Sequence, residues 1–177
     1  MKLRLEGAIA DAPHDELKAR LEAADREVDR LSGIVDRLLV MAREIEEGGP
    51  AQVDLREAMD RAVARWKERA GDRDSTVVSR GDGGSARVDP TDLDQILDNL
   101  LDNATAYAPG EVTIESGGLN GRLFVAVQDQ GPGIASDDLA RVTERFYRGR
   151  GAPSGGSGLG LAIARQLAEK WGGTLSV

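Results

Sequence analysis

The chain contains no cysteine, so it can form neither a disulfide framework nor a thiolate metal site, and a reducing cytosol is a permitted compartment. It also lacks long apolar runs. No uninterrupted stretch approaches the roughly 18 to 20 residues that span a bilayer, and the start, Met1-Lys2-Leu3-Arg4, has no signal-peptide apolar segment. A basic excess is missing as well: 23 Lys and Arg stand against 31 Asp and Glu, for a formal net charge of -8. Such a surface repels a phosphate backbone or an anionic membrane face, so no nucleic acid is expected as a partner. Within 177 residues the remaining sequence suits one globular domain, typically about 100 to 150 residues, with a short helical appendage.

That appendage is visible as periodicity. Leu17, Leu21, Ala24, Val28, Leu31, Val35, Leu38, Ala42 and Ile45 are spaced by threes and fours as heptads, with charged residues between them. The pattern predicts a long amphipathic helix, about 15–47, whose narrow apolar stripe needs another helix from the same chain or a second copy. Asp11-Ala12-Pro13 marks a break before it. Residues 2–10 then read as the stub of an earlier helix and 11–14 as a hairpin turn. Gly48-Gly49-Pro50 ends the long helix and serves as a linker. The expected organisation is therefore a partial helical hairpin over 1–50 and a second domain over 51–177.

In that second domain, helical patterns at about 55–70, 90–107 and 158–171 alternate irregularly with short β-like runs, including Thr76-Val77-Val78. This is an α+β arrangement. Val112–Glu115 and Arg122–Asp129 flank Gly117-Gly118-Leu119-Asn120-Gly121 and predict an antiparallel hairpin within a sheet covered on one face by helices. Thr174-Leu175-Ser176-Val177 reads as the beginning of a further strand. Residues 130–157, rich in Gly, Pro and Ser, predict a functional loop.

Three constellations carry chemistry. Asp89 is a cap candidate before Pro90, and Leu93, Ile96, Leu97, Leu100, Leu101 and Ala104 share one face of the following helix. Asn99 and Asn103 border that face one turn apart, where an amide oxygen can meet Mg²⁺ and an amide NH₂ can meet phosphate. Two solvated or capping asparagines would show the same spacing. In Asp129-Gln130-Gly131-Pro132-Gly133 a carboxylate follows an apolar strand and is placed to accept from a purine amine, while the glycines let backbone approach a ligand. A simple turn has the same pattern. Gly156-Ser157-Gly158-Leu159-Gly160-Leu161 leads into a helix and offers backbone NH groups to phosphate, although such a run also serves as a flexible joint.

Taken in order, Asp98-Asn99-Leu100-Leu101-Asp102-Asn103-Ala104, the Asp129 box, Glu144-Arg145-Phe146-Tyr147-Arg148-Gly149 and the Gly156–Ile163 box resemble the four nucleotide-binding boxes of sensor histidine kinases. The resemblance covers about residues 51–177, and the heptad helix resembles the second helix of that family's dimerisation and phosphotransfer hairpin. It implies the two-layer α/β sandwich of the gyrase, Hsp90 and histidine kinase ATPases, with ATP and Mg²⁺ as cofactors. By the same resemblance Asn103 is the principal Mg²⁺ ligand with Asn99 beside it, and Tyr107 packs near the nucleotide. Asp129 recognises the adenine amine, Gly131 and Gly133 let the chain approach the base, and Gly158, Leu159 and Gly160 line the phosphates. Phe146 anchors a lid and Arg148 reaches the terminal phosphate.

The resemblance further implies a homodimer in the full-length protein, a response regulator as partner, and a cytoplasmic position below membrane segments lying upstream. Two departures qualify it. Many relatives carry Lys or Arg immediately before the tyrosine, where this chain has Ala106, so one cationic phosphate contact is missing or supplied from elsewhere. The only histidine, His14, is followed by Asp15-Glu16-Leu17-Lys18-Ala19-Arg20-Leu21, out of step with the family's phosphoacceptor box and without its proline. It is therefore expected in the hairpin turn, with the true acceptor upstream of Met1 and the C-terminal end cut short. Two other readings share the residues: a serine kinase of the anti-sigma-factor type, and a non-catalytic nucleotide-binding or dimerisation module.

Overall fold

A computed structural model describes residues 20, 49–149 and 157–177. The hairpin expected over 1–50, His14 included, thus lies outside the described residues save for three positions. All the elements below belong to one compact unit, Glu46–Val177. In chain order they are β1 (Ala51–Asp54), α1 (Leu55–Gly71), β2 (Ser75–Gly81), β3 (Ser85–Val88), α2 (Pro90–Tyr107), β4 (Gly110–Leu119), β5 (Arg122–Gln128), α3 (Ser136–Leu139) and α4 (Gly160–Lys170).

Both long helices start where a carboxylate satisfies first-turn amides. Asp54 accepts from the backbone of Arg56 at 2.8 Å and Glu57 at 3.2 Å. Asp89 accepts from Thr91 at 2.7 Å and Asp92 at 3.4 Å, with Pro90 in the first turn, where it has no intrahelical bond to lose. Along α1 the buried positions Leu55, Ala58, Met59, Ala62, Trp66 and Ala70 recur every three or four residues. Along α2 they are Leu93, Leu97, Leu101, Ala104 and Thr105, whereas Ile96 and Leu100, expected on the core face, are only half-buried at its edge.

These stripes cover one face of a three-stranded sheet ordered β2-β4-β5, in which β2 and β4 are parallel and β4 and β5 antiparallel. On β4, Val112, Ile114 and Ser116 are buried while Glu111 and Glu115 face out, the period-two signature of a sheet with one covered face. Helices on one side and a sheet on the other give the two-layer α+β sandwich. The largest wholly buried side chains, Trp66, Met59, Leu97, Leu101, Ile114 and Val112, form the interface between the layers.

Four further details differ from the sequence expectation. The hairpin loop is shorter, because Gly117-Gly118-Leu119 continue β4 and only Asn120-Gly121 turn. Their φ values of 53° and 75° match the twist of a two-residue hairpin. A second, two-stranded antiparallel sheet, β1 with β3, is additional. The loop over 130–157 contains the short helix α3. Thr174–Val177 is not a strand, since among the described residues nothing hydrogen-bonds to it as a sheet partner, and apolar alternation alone does not make one.

Candidate functional site

The site is built around α2. Its capped start and buried Leu93-Leu97-Leu101 stripe fix the helix against the sheet, so Asn99, Asn103 and Tyr107, on an adjoining stripe, are held at the edge of the core. Facing them is the segment that follows β5, beginning at Asp129, and beside them is the turn that enters α4. Together these surround a cavity of about 690 Å³.

Of the residues singled out from sequence, Asn99, Asn103, Tyr107, Asp129, Gly133, Arg148, Gly158 and Gly160 line this one cavity. Gly131, Phe146 and Leu159 do not. Gly131 sits just behind the wall, donating its backbone N–H to Asp129 Oδ1 at 2.7 Å. A Cβ there would stand 2.7 Å from that oxygen and 2.9 Å from Ala108 Cβ, so the residue must be glycine for the turn to close on the end of α2. Leu159 is 4% exposed and packs inward at the start of α4. Phe146 is turned outward, half exposed, and has a φ of 66°.

The phenylalanine segment and the second glycine box meet through backbone. Phe146 N–H donates to Gly158 O at 2.9 Å. Gly158 has a φ of +68°, and a Cβ on it would lie 2.8 Å from both the Phe146 carbonyl carbon and the Tyr147 oxygen. Gly160 continues the approach, since its Cβ position is 3.4 Å from Asn99 Oδ1. Asn99 Nδ2 is buried and has no hydrogen-bond partner among the described residues. A buried amide donor without an acceptor costs stability unless a ligand or water meets it, which marks this end of the cavity as a place for a polar group. Rotated about its last bond the same amide presents an oxygen suited to a hard cation, so the donor chemistry here fits Mg²⁺ together with phosphate.

Sequence reasoning missed Arg73, Asp102, Asp138 and Tyr147, which also line the cavity. Tyr147 donates to Asp138 Oδ1 at 2.5 Å, and the Arg141 guanidinium lies 4.3 Å from the centre of its ring. The hydrogen bond to Asp138 holds the Tyr147 phenol above its ordinary pKa, with burial and the negative charge of Asp138 adding to it. No local signal marks Arg73, which reaches the cavity from the turn between α1 and β2. Asp102 lies in the asparagine box itself, one residue before Asn103.

The family described as histidine kinase-, DNA gyrase B-, and HSP90-like ATPase matches residues 88–177. Among curated relatives, a probable sensor histidine kinase HK of Mycobacterium tuberculosis is 36% identical over 166 residues, covering 91% of this chain and 43% of the relative. The sensor-like histidine kinase SenX3 of the same species is 38% identical over 189 residues, covering all of this chain and 46% of the relative. The chain thus spans less than half the length of either relative. Among solved structures, the mycobacterial sensor histidine kinase MprB is similar with a TM-score of 0.61 and 33% identity, over 70% of this chain and 80% of that one. Full-length ShkA in complex with AMPPNP is similar with a TM-score of 0.63 and 28% identity, over 89% of this chain and 34% of that one. These relatives do not favour the anti-sigma-factor alternative. The order of the four boxes, their convergence on one cavity and the sandwich beneath them agree with these likenesses, and the chain belongs to the histidine kinase-, DNA gyrase B- and HSP90-like ATPase family, in its sensor histidine kinase branch.

Proposed function

We propose that residues 51–177 are the ATP-binding catalytic domain of a sensor histidine kinase, which transfers the γ-phosphoryl group of ATP to a histidine for relay to a response regulator. The observation that carries this reading is the single cavity onto which Asn99, Asn103, Asp129, Arg148, Gly158 and Gly160 converge from four separate stretches of sequence. In it Asp129 accepts from the adenine amine and Tyr107 packs against the base, while Gly131 and Gly133 keep the backbone close. Asn103, with Asn99 beside it, holds Mg²⁺, which when bound neutralises phosphate charge. Gly158 and Gly160 bring backbone to the phosphates at the N-terminal end of α4, with Leu159 seating that turn from the core side. Arg148 meets the terminal phosphate and Phe146 anchors the segment that closes over the nucleotide.

The work of these residues is positioning and charge neutralisation, the main requirements of phosphoryl transfer. The accepting histidine is not His14. The working form is a homodimer joined through the helical hairpin, on the cytoplasmic side of a membrane. Among the described residues no helix is long and apolar enough to cross one.

Calorimetric titration with a non-hydrolysable ATP analogue, with and without Mg²⁺, tests the reading, with Asn103→Asp as the variant. Metal-dependent binding that the variant loses by roughly tenfold or more, with its melting temperature kept, is the expected result, because a rim amide is changed and no core volume. Equal affinity of the two proteins with Mg²⁺ present would remove the metal assignment, and no binding by either would favour the non-catalytic module.

A further inference from the structure

The cavity has an unusual charge balance for a site that takes a polyanion. Among the described residues lining it, Asp102, Asp129 and Asp138 are acidic and only Arg73 and Arg148 are basic. Its α2 wall, formed by Asn99, Asp102, Asn103, Ala106 and Tyr107, contains no cation of its own. Ala106 lies one helical turn beyond Asp102, so the stripe on which a long basic side chain would stand ends in a methyl group.

Arg73 fills this side of the wall from another element. Its Nη1 donates to Asp102 Oδ1 at 3.0 Å, to Thr105 Oγ1 at 2.9 Å and to the Asp102 carbonyl at 3.4 Å. Thr105 is itself buried and donates to Leu101 O at 2.8 Å, so the anchor is part of the rigid helix. All three bonds use one nitrogen. The guanidinium has five N–H donors in a plane, and among the described residues Nε and Nη2 donate to nothing. The side chain is 38% exposed and lines the cavity. A planar cation held by one corner, with its other donors uncommitted beside a nucleotide-sized space, has the form of an anion-binding group.

Resting on the nucleotide reading above, we propose that Arg73 is a phosphate-binding residue of this site, supplying from the α1–β2 turn the cation that the α2 wall lacks. Asp102 and Thr105 are its positioning residues, orienting the fork so that Nε and Nη2 meet phosphate oxygens of the bound nucleotide.

The test compares Arg73→Lys and the double variant Arg73→Gln with Asp102→Asn, titrating each with ATP and with adenosine in Mg²⁺. Lysine keeps a charge able to bond Asp102 and Thr105 but has no fork, so the fold is retained while the phosphate contact goes. The double variant removes both charges and isolates the alternative in which Arg73 merely masks Asp102. The expected result is about tenfold weaker ATP binding in both variants, as for loss of a hydrogen bond to a charged group, with adenosine affinity unchanged. Wild-type ATP affinity in either variant overturns the proposal, as does an equal loss for adenosine, which would show a general disturbance. If the unsubstituted protein fails to bind ATP, the nucleotide reading itself falls and the proposal with it.

Discussion

Tyr147 and Asp138 are joined by a hydrogen bond of 2.5 Å between phenol and carboxylate, which ties α3 to the segment carrying Phe146 and Arg148. Gly149 completes the corner, since a Cβ on it would lie 2.9 Å from the other carboxylate oxygen of Asp138. The two ends of the acidic and basic run that borders the cavity are thereby held together without a buried core beneath them.

The phenol's raised pKa gives a first prediction. Its folded value lies above the unfolded one, near 10, so its contribution to stability is complete below about pH 10 and is lost as pH rises through the folded value. Thermal melts should show an alkaline decline above about pH 10 that is shallower in Tyr147→Phe. Near neutral pH that variant should bind nucleotide more weakly, by a few-fold. Superimposable alkaline slopes for the two proteins would show that the Asp138 bond does not persist in solution.

Gly158→Ala should damage the site more than the fold. The left-handed backbone at φ +68° costs an ordinary residue roughly 1–2 kcal/mol, and the added carbon meets backbone atoms of Phe146 and Tyr147 that cannot swing aside. Nucleotide affinity should fall at least tenfold while the melting temperature drops by only a few degrees, as read by calorimetry and circular dichroism. A variant with unaltered affinity would mean that the Phe146–Gly158 junction plays no part in binding.

Trp66→Ala is expected to unfold the domain under mild denaturant. The side chain is 1% exposed at the centre of the layer interface, and its Nε1 donates to Asp98 Oδ1 at 2.8 Å. Loss of a buried tryptophan typically costs about 3–5 kcal/mol, much of the stability of a small domain. Urea titration measures the loss. A cost below about 1 kcal/mol would contradict the burial of Trp66 between the two layers.

Asp92→Ala frees the C-terminal end of α4, opposite the end that borders the site, from the start of α2. One oxygen, Asp92 Oδ2, accepts from Trp171 Nε1 at 2.8 Å and from Lys170 Nζ at 2.9 Å, while the carboxylate is only 16% exposed. Removing it should cost about 1–3 kcal/mol in urea and weaken nucleotide binding by shifting Gly160 away from Asn99. Stability equal to wild type, read in the same titration, would show that the two bonds are worth no more than those to water.

Where a residue's role is set by its neighbours in sequence, the fold and the site could be read in advance. Asp89 and Pro90 announce the start of α2, and the Leu93-Leu97-Leu101 stripe gives its buried face, so Asn99 and Asn103 fall at the cavity edge as expected. Roles set across the fold could not be read. Gly117 looks like a turn residue, yet it continues β4 because the Phe124 ring lies over it, 3.0 Å from where a Cβ would be. β1 and β3 carry little apolar alternation and are strands only because they find each other. Arg73 joins the site through Asp102 and Thr105, far along the chain, and no spacing rule connects the three.

The parallel pairing of β2 with β4, from Ser75 opposite Gly110 to Gly81 opposite Ser116, has a kinetic consequence. The chain that returns from one strand to the other includes all of α2, so these strands cannot zip up from a tight turn as β4 and β5 can across Asn120-Gly121. The hairpin should form early, and β2 should dock late, once α2 is already in place and the entropy of closing the long loop has been met. The helix carrying both asparagines is thus enclosed by the slowest step of assembly. Its amides should exchange with solvent only when the whole domain opens, while those around Tyr147 exchange through local fluctuations that leave the sheet intact.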